Sequence, residues 1–302
     1  MSAINRSQFL ECMAWCGTGV VYALSAGGLT GRALGAELPP SMTGRTFVQI
    51  SDTHVGFHGE ANTDVLSTFQ QAIDKINALP VRPDFVMHTG DLSHLSKPEQ
   101  FDTVRQMLGT IKTGAVYAVP GEHDVIDDHG AKYFSMFGRG GVKPWYSFDA
   151  AGVHSLALTN VLDIKAGGFL GREQLEWARA DLAQQKKSTP IAVFAHIPLY
   201  AAYPDWGWTT DDYLELLAML RPFDAVTVLN GHIHQVLSKV DGNITFYTAD
   251  STAFPQPKPG SEAKPHPLKV PAGDLGKYLG IRSATIQPVS HSIAIADQTL
   301  AP

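Results

Sequence analysis

Short apolar runs alternate with longer mixed segments along the chain from Thr46 onward. Runs of four to six aliphatic and β-branched residues are typical of strands that are buried on both faces. The sequence therefore predicts seven buried strands. They are Phe47–Ile50, Phe85–His88, Ala115–Val119, Val153–Leu158, Ile191–Ala195, Ala225–Leu229 and Ile244–Tyr247.

Four of the longer segments between these runs are typical of helices. The predicted helices are roughly Asp64–Leu79, Pro98–Lys112, Arg172–Gln185 and Thr210–Leu220. Pro98 followed by Glu99 suits the first turn of a helix, where the missing N–H of proline has little cost. Because strands and helices alternate without a clear linker, we predict one α/β domain over residues 45–302, with its strands sandwiched between helices.

Residues 1–36 follow the order of an export signal. Arg6 precedes Phe9-Leu10, a weakly polar stretch follows, and small residues fill positions 33–36. This order predicts a cleaved signal and a periplasmic protein. The segment resembles a twin-arginine signal, although Ser7 stands where the second arginine would be. The alternatives are a cytoplasmic protein or an N-terminal helix, packed on the domain or on a membrane surface. We expect no stable membrane span, because the apolar run is shorter than the ~20 residues required.

Residues 254–272 are rich in proline, with six prolines in the segment. Proline lacks a backbone N–H and has a fixed φ, so this segment cannot form a helix or a central strand. The sequence predicts a C-terminal loop of the domain, which is either an ordered segment that wraps it or a flexible cover.

Composition and charge narrow the classes of function. Hydrophobic residues make up 44% of the chain and charged residues 17%, an ordinary globular mixture. The net charge of −6 offers no basic field for nucleic acid, so we expect no nucleic-acid partner. The two cysteines are Cys12 and Cys16, which excludes disulfides and a cysteine-type zinc site from the rest of the chain.

Potential metal-binding side chains follow five of the predicted strands, and most lie beside a glycine. The groups are Asp52-Thr53-His54, Gly90-Asp91, Gly121-Glu122-His123-Asp124, His196 and Gly231-His232-Ile233-His234. In α/β sheets, sites assemble at the carboxyl ends of the strands, and glycine permits tight turns there. One such group is weak evidence, but five in series predict a metal site.

The order and residue types of these groups resemble the calcineurin-like metallophosphoesterase family. The pattern of that family is Asp-x-His, Gly-Asp, Gly-Asn-His-(Glu/Asp), His and Gly-His-x-His, and the resemblance spans about residues 46–250. It implies an α/β/β/α sandwich, in which helices flank two facing β-sheets. It also implies a hydrolase that cleaves phosphate esters with a hydroxide bridging two divalent metal ions. Oxygen and imidazole ligands suit Mn, Fe, Zn or Co and do not select among them.

Carried over position by position, the resemblance implies seven metal ligands. They are Asp52, His54 and His234 for the first metal, Glu122, His196 and His232 for the second, and Asp91 between the two. His123 would lie beside the phosphate, where it could stabilise charge or protonate the leaving alkoxide. Asp91 and His123 are therefore the implied catalytic residues.

One implied ligand departs from the pattern, because the family usually has asparagine where this chain has Glu122. A glutamate adds a negative charge to the site. We therefore expect tighter binding of the second metal and weaker attraction for a dianionic phosphate. This difference favours monoanionic diesters over monoesters.

Four further residues are candidates for substrate contact. His94 follows Asp91 closely, and Tyr203, Trp206 and Trp208 lie in a loop after His196. Aromatic side chains on loops often bind ligands. The alternatives are an ordinary surface or supporting role for His94, and a loop that is packed down by its own aromatic residues.

The predicted substrate is therefore a small phosphate ester, with diesters favoured. The enzymatic alternatives are a phosphomonoesterase and a metal-dependent nuclease, and the acidic charge counts against a nuclease. A silent scaffold of the same fold is disfavoured, because every implied ligand position holds a competent residue. A lipid-head-group hydrolase tethered by an uncleaved N-terminus is a further alternative. The sequence predicts no particular oligomeric state.

Overall fold

The computed structural model describes residues 20–25, 28–33, 45–271, 273–287 and 292–301. The chain divides into two compact units, Met1–Thr43 and Gly44–Pro302. In the first unit, β1 (Val20–Ser25) pairs antiparallel with β2 (Gly28–Ala33). The rest of the predicted export signal, including Arg6, lies outside the described residues, and the signal stays a prediction. No described helix combines the length and the apolar character needed to cross a bilayer.

The second unit contains eleven strands and five α-helices within its described residues. The strands are β3 (Thr46–Ile50), β4 (Phe85–His88), β5 (Ala115–Ala118), β6 (Tyr146–Ala150), β7 (Val153–Ala157), β8 (Ile191–Phe194), β9 (Val226–Asn230), β10 (Ser238–Asp241), β11 (Ile244–Thr248), β12 (Gly280–Ile286) and β13 (Ile293–Thr299). The helices are α1 (Val65–Asn77), α2 (Pro98–Leu108), α3 (Ala131–Phe137), α4 (Arg172–Leu182) and α5 (Tyr213–Leu220). All seven predicted strands and all four predicted helices form, with small shifts at their ends.

The strands form two mixed sheets. One has the order β13-β12-β3-β4-β5 and the other the order β10-β11-β9-β8-β7-β6. Strands β3, β4 and β5 are parallel neighbours, as are β7, β8 and β9. Because parallel neighbours end at the same edge of a sheet, the loops that follow them lie side by side.

The two sheets pack face to face through an aromatic core. Phe47 and Phe85 of the five-stranded sheet stack with ring centroids 4.7 Å apart, and Phe194 of the six-stranded sheet meets Phe47 edge-on at 5.8 Å. Helices α1, α2 and α3 cover the outer face of the five-stranded sheet, and α4 and α5 cover the other outer face. The predicted α/β/β/α sandwich is confirmed.

The β1–β2 hairpin of the first unit was not predicted, and neither were four described strands and one described helix of the second unit. Those of the second unit are β6, β10, β12, β13 and α3. In β12 the apolar pattern is interrupted by Arg282, which is nevertheless buried, because it donates to Asp297, to Gln49 and to the carbonyl oxygen of Thr248. A buried arginine needs such partners, and they come from distant parts of the chain.

Candidate metal centre

The loops after five parallel strands converge at one end of the sandwich. They carry Asp52 and His54 after β3, Asp91 after β4, Glu122 and His123 after β5, His196 after β8, and His232 and His234 after β9. Five of these residues have positive φ: 54° at Asp52, 41° at His54, 53° at Asp91, 71° at His232 and 51° at His234. Such conformations cost non-glycine residues about 1–3 kcal/mol each and cluster at functional sites.

Two glycines make the convergence possible. Gly90 has a φ of 101°, and a Cβ there would collide with the imidazole of His196. A Cβ at Gly121 would collide with the carboxylate of Asp91. The loops after β4, β5 and β8 can therefore approach each other only because these two positions lack side chains.

Asp52, His54 and His234 form the first half of the site. The Nε2 atom of His234 lies 3.3 Å from Oδ1 of Asp52 and 3.3 Å from Nε2 of His54. All three side chains are buried. One oxygen or nitrogen of each residue lies within 4.8 Å of the others, which is close enough for a single metal ion to bind all three.

Glu122, His196 and His232 form the second half of the site. Oε2 of Glu122 lies 2.8 Å from Nε2 of His196, and its Oε1 lies 2.9 Å from Nδ1 of His232. Asp91 lies between the halves, because its Oδ2 is 3.5 Å from Nε2 of His54 and 3.4 Å from Nε2 of His196. The seven ligands implied by the sequence are therefore brought together in the implied grouping.

The ligand atoms of the second half fit a metal ion. Oε2 of Glu122, Nε2 of His196 and Nδ1 of His232 are buried, and none has an aligned hydrogen bond within the described part of the chain. Nε2 of His196 nonetheless lies 2.8 Å from Oε2 of Glu122, and Nδ1 of His232 lies 2.9 Å from its Oε1. Buried polar atoms normally find hydrogen-bond partners. Atoms that converge without bonding one another are arranged as ligands of a cation, and oxygen and imidazole donors suit a divalent transition metal.

The outward nitrogens of two ligand imidazoles are held by carbonyl acceptors, and that of a third faces another imidazole. Nδ1 of His196 donates to the carbonyl oxygen of Thr89 at 2.7 Å, and Nδ1 of His234 donates to that of Phe254 at 2.6 Å. Nδ1 of His54 lies 3.4 Å from Nδ1 of His94. A carbonyl oxygen can only accept, so Nδ1 carries a proton in the first two rings, and Nε2 is the nitrogen left to bind a metal once it is deprotonated.

The carboxylates of both halves stay ionised. Burial opposes the charged form of Asp52, but its interactions with His234 and then with His196 outweigh burial and lower the pKa. Burial likewise opposes the charged form of Glu122, and His232 and His196 outweigh it, so the pKa lies well below its ordinary range. Both groups are therefore available as anionic ligands.

The buried imidazoles of His54 and His196 differ in charge. Burial, followed by repulsion from His123, holds the pKa of His54 well below its ordinary value. Burial also disfavours the charged form of His196, but Asp91 and Glu122 outweigh it and raise the pKa well above the ordinary value. Without a cation, the proton on His196 balances part of the negative charge of the site.

His123 lies against both halves of the site. Its backbone N–H donates to Oδ1 of Asp91 at 2.8 Å, and its Nδ1 donates to the carbonyl oxygen of His94 at 2.7 Å. The rings of His123 and His94 stack with centroids 4.9 Å apart. Burial lowers the pKa of His123, but the carboxylates of Asp91 and Glu122 outweigh it and raise the pKa overall. The site therefore favours the protonated imidazole more than water does.

Asp124 holds the loop that presents His123. Its buried carboxylate accepts hydrogen bonds from the backbone N–H groups of Leu92, Ser93 and Gly121 at 2.8–3.0 Å. Burial, with a contribution from Asp91, raises the pKa of Asp124 to about 7. Asp124 orients the loops after β4 and β5.

The aromatic candidates separate into two kinds. Tyr203 and Trp206 are partly exposed, with ring centroids 5.2 Å apart. Trp208 is only 1% exposed, and its ring packs edge-on against Trp206 at 5.0 Å. The prediction that Trp208 contacts the substrate is corrected, because its side chain packs the loop. His94 is half-buried and lies beside His54 and His123, within the site.

The sequence did not indicate two residues that touch the first half. Phe254 stacks on the ring of His54 with centroids 4.8 Å apart, and the hydroxyl of Ser251 donates to the carbonyl oxygen of Asp52 at 2.7 Å. They lie at and just before the start of the proline-rich segment. Phe254, the first residue of that segment, therefore packs directly against the site.

Comparison with known families agrees with this geometry. Residues 45–236 match the family described as Calcineurin-like phosphoesterase. Because the match covers more than half of the chain, the protein belongs to the calcineurin-like phosphoesterase family. It is a hydrolase that acts on phosphoric ester bonds.

Relatives and solved structures are consistent with this assignment. The chain is 26% identical over 258 residues to the glycerophosphodiester phosphodiesterase GpdQ of Enterobacter lignolyticus, covering 81% of this chain and 90% of the relative. It is 24% identical over 215 residues to a 3',5'-cyclic-nucleotide phosphodiesterase of Nostoc sp., covering 69% and 79%. A dimetal phosphatase from Danio rerio has a TM-score of 0.60 at 14% identity, covering 85% of this chain and 96% of that one. At that identity the likeness shows the fold alone.

Proposed function

We propose that this chain is a binuclear metal-dependent phosphodiesterase that hydrolyses a small phosphate ester. The two halves of the site and Asp91 between them support a pair of divalent ions, of Mn, Fe, Zn or Co. Relatives at 26% and 24% identity are named as phosphodiesterases, which supports diester substrates. Two such ions, when bound, would lower the pKa of a shared water and offset the charge of the phosphate.

His123 is the group that we propose to protonate the leaving oxygen. Attack of water on phosphorus breaks the bond to the ester oxygen, and the departing alkoxide needs a proton. One ring nitrogen of His123 lies within 4.8 Å of carboxylate oxygens of Asp91 and Glu122. The hydrogen bond from Nδ1 to the carbonyl oxygen of His94 leaves the Nε2 proton for the alkoxide. A positioned acid of this kind contributes about 10²–10⁴-fold to a rate.

The negative charge of Glu122 is the observation that supports the preference for diesters. Its carboxylate lies against both imidazoles of the second half, at 2.8 Å and 2.9 Å. A neutral amide in its place would leave the loaded site with one more positive charge. The carboxylate therefore weakens the attraction for a dianionic monoester more than that for a monoanionic diester.

The test compares two esters in the same loaded protein. Metal-stripped protein is resupplied with Mn, Zn, Fe or Co, and the hydrolysis of bis-p-nitrophenyl phosphate is measured against that of p-nitrophenyl phosphate. We expect metal-restored turnover with the diester preferred. The matched variant Glu122→Gln keeps the size of the side chain and removes its charge. We expect it to shift the ratio of kcat/KM toward the monoester by about tenfold, which corresponds to about 1.4 kcal/mol.

Other outcomes would change the proposal. Faster turnover of the monoester by the wild-type protein would identify a phosphomonoesterase. Metal uptake without turnover of either ester would favour the scaffold. An unchanged ratio and unchanged metal affinity in Glu122→Gln would remove the electrostatic basis for the diester preference.

We also propose that the protein acts outside the cytoplasm. The support is the sequence order of residues 1–36, with Arg6, the weakly polar stretch and the small residues before Glu37. N-terminal sequencing of the native protein tests this. A start near Glu37 is expected, and an intact Met1 on a cytoplasmic protein would contradict it.

A further inference from the structure

The turn Ser251–Phe254 contacts every ligand of the first half of the site. The hydroxyl of Ser251 donates to the carbonyl oxygen of Asp52 at 2.7 Å. The carbonyl oxygen of Phe254 accepts from Nδ1 of His234 at 2.6 Å, and the ring of Phe254 stacks on His54 at 4.8 Å with an interplanar angle of 26°. One four-residue turn therefore touches Asp52, His54 and His234.

The turn is itself held in one conformation. Oγ of Ser251 accepts from the backbone N–H groups of Ala253 at 2.8 Å and of Phe254 at 3.2 Å. The N–H of Thr252 donates to the carbonyl oxygen of Ser51 at 3.1 Å, next to the ligand Asp52. Ser251 and Thr252 are fully buried and Phe254 is 3% exposed, so water does not compete for these bonds.

The turn is also anchored from its outer side. The ring of Phe254 packs on Phe57 with centroids 4.4 Å apart, and the side-chain amide of Asn62 donates to the carbonyl oxygen of Ala253 at 2.7 Å. Phe254 and Ala253 belong to a small apolar cluster with Ala61 and with Val65, the first residue of α1. The turn is thus fixed between the site and the start of a helix.

A ligand imidazole must be fixed in two respects before it binds a metal well: its tautomer and its ring orientation. The Phe254 carbonyl selects the Nδ1–H tautomer of His234, which leaves Nε2 free, and the Phe254 ring restricts rotation of His54. Asp52 has a strained φ of 54°, and the Ser251 hydroxyl bonds its carbonyl oxygen in that conformation. Each contact removes motion that metal binding would otherwise have to freeze.

We propose that the Ser251–Phe254 turn is a positioning element that preorganises Asp52, His54 and His234 for the first metal. The proposal rests on the two-metal site proposed above. Phe254 and Ser251 contribute no ligand atom. They act on the metal by fixing the side chains that do.

The test measures metal affinity and ligand geometry, without substrate. Full-length metal-stripped protein carrying His232→Ala, which removes one ligand of the second half, is titrated with Co(II) and followed by visible absorption. In this background we expect Phe254→Leu and Ser251→Ala to weaken Co(II) binding by about 10–100-fold, as loss of a supporting group typically does. We also expect the Co(II) bands to shift, because the ligand geometry changes.

The matched control is Phe101→Leu. Phe101 is fully buried against Tyr133 and Phe137 in the helical layer, and none of its ring contacts is a ligand. This variant loses the same volume as Phe254→Leu. We expect a lower thermal midpoint with Co(II) affinity within about twofold of its background and unchanged bands.

The outcomes separate this inference from the proposed function. If folded Phe254→Leu and Ser251→Ala kept the Co(II) affinity and the bands of their His232→Ala parent, the inference would be overturned while the two-metal site stayed in place. Failure of the wild-type chain to take up Co(II) would instead overturn the proposed function. If circular dichroism shows that Phe254→Leu is unfolded, the test relies on Ser251→Ala, which removes only one oxygen atom.

Discussion

The His154 group and the strand-end group of histidines and carboxylates differ in how their atoms meet. Nδ1 of His154 lies 2.9 Å from Asp149 and its Nε2 lies 2.6 Å from Asp181, both in aligned hydrogen bonds. Nε2 of His196 is equally close to Glu122, at 2.8 Å, yet the atoms are not aligned. Distance alone therefore does not separate an ion pair from a pair of metal ligands; the direction of the lone pairs does.

The two groups also differ in backbone conformation. His154 lies in β7, Asp149 in β6 and Asp181 in α4, all regular elements. Asp52, His54, Asp91, His232 and His234 lie in loops with positive φ. Strain of this kind persists only where the surrounding structure holds it, as at functional sites. We therefore expect the His154 group to stabilise the fold, and we propose that the strand-end group carries the chemistry.

The most direct test of this difference is to neutralise one carboxylate in each group. Asp91→Asn removes the charge shared by both halves of the site. We expect kcat/KM for bis-p-nitrophenyl phosphate to fall by more than the ~10²–10⁴-fold that a general acid contributes, because both metals lose a ligand. Asp181→Asn is the control, and we expect its activity to stay within about twofold of wild type. Comparable losses in both variants would show that the distinction is wrong.

A second substitution separates the acid from the ligands. We expect His123→Gln to keep metal uptake and to lower kcat by about 10²–10⁴-fold for esters with alkyl leaving groups. The loss should be smaller for p-nitrophenyl esters, because p-nitrophenolate leaves without a proton. Kinetics with both kinds of diester check this, with His154→Gln as the control. An equal loss for both leaving groups would assign His123 to charge stabilisation alone.

The candidate site could be predicted from the sequence because its ligands follow directly after buried strands. Continuous apolar runs such as Phe47–Ile50 and Phe85–His88 identify buried strands, and the ligands follow the ends of those strands. Parallel neighbours place these ends together whatever the details of the loops. The family resemblance then implied which ligands share a metal, and the structure brings Asp52, His54 and His234 into one group.

What the sequence could not show depends on contacts between distant segments. Ser251 and Asp52 are 199 residues apart, and no local pattern relates them. The strand β12 was missed because Arg282 interrupts its apolar pattern, although partners from three other segments make its burial tolerable. Trp208 could have faced the substrate or the loop, and only the packing around it decides which.

The smallest expected effect is on the pH dependence of the free energy of unfolding, to which the His154 group contributes. Burial disfavours the His154 charge, but hydrogen bonds to Asp181 and Asp149 outweigh burial and raise its pKa above the ordinary 6.5. The folded protein therefore holds this proton more tightly than the unfolded chain. The resulting stability is fully present below pH 6.5 and is lost as the pH rises through the folded-state pKa.

Protonation of Asp181 ends this stabilisation at low pH. Burial raises its pKa, but the hydrogen bonds from His154 and Ser147 outweigh burial and lower it below the ordinary 3.8. Its contribution is present above pH 3.8 and is lost as the pH falls through the folded-state pKa. We therefore expect His154→Gln to cost about 1–2 kcal/mol near pH 5.5 and less near pH 8.5. Urea unfolding of metal-stripped wild-type and variant protein at both pH values measures this. A difference that is equal at the two pH values would show that His154 is held as a neutral imidazole.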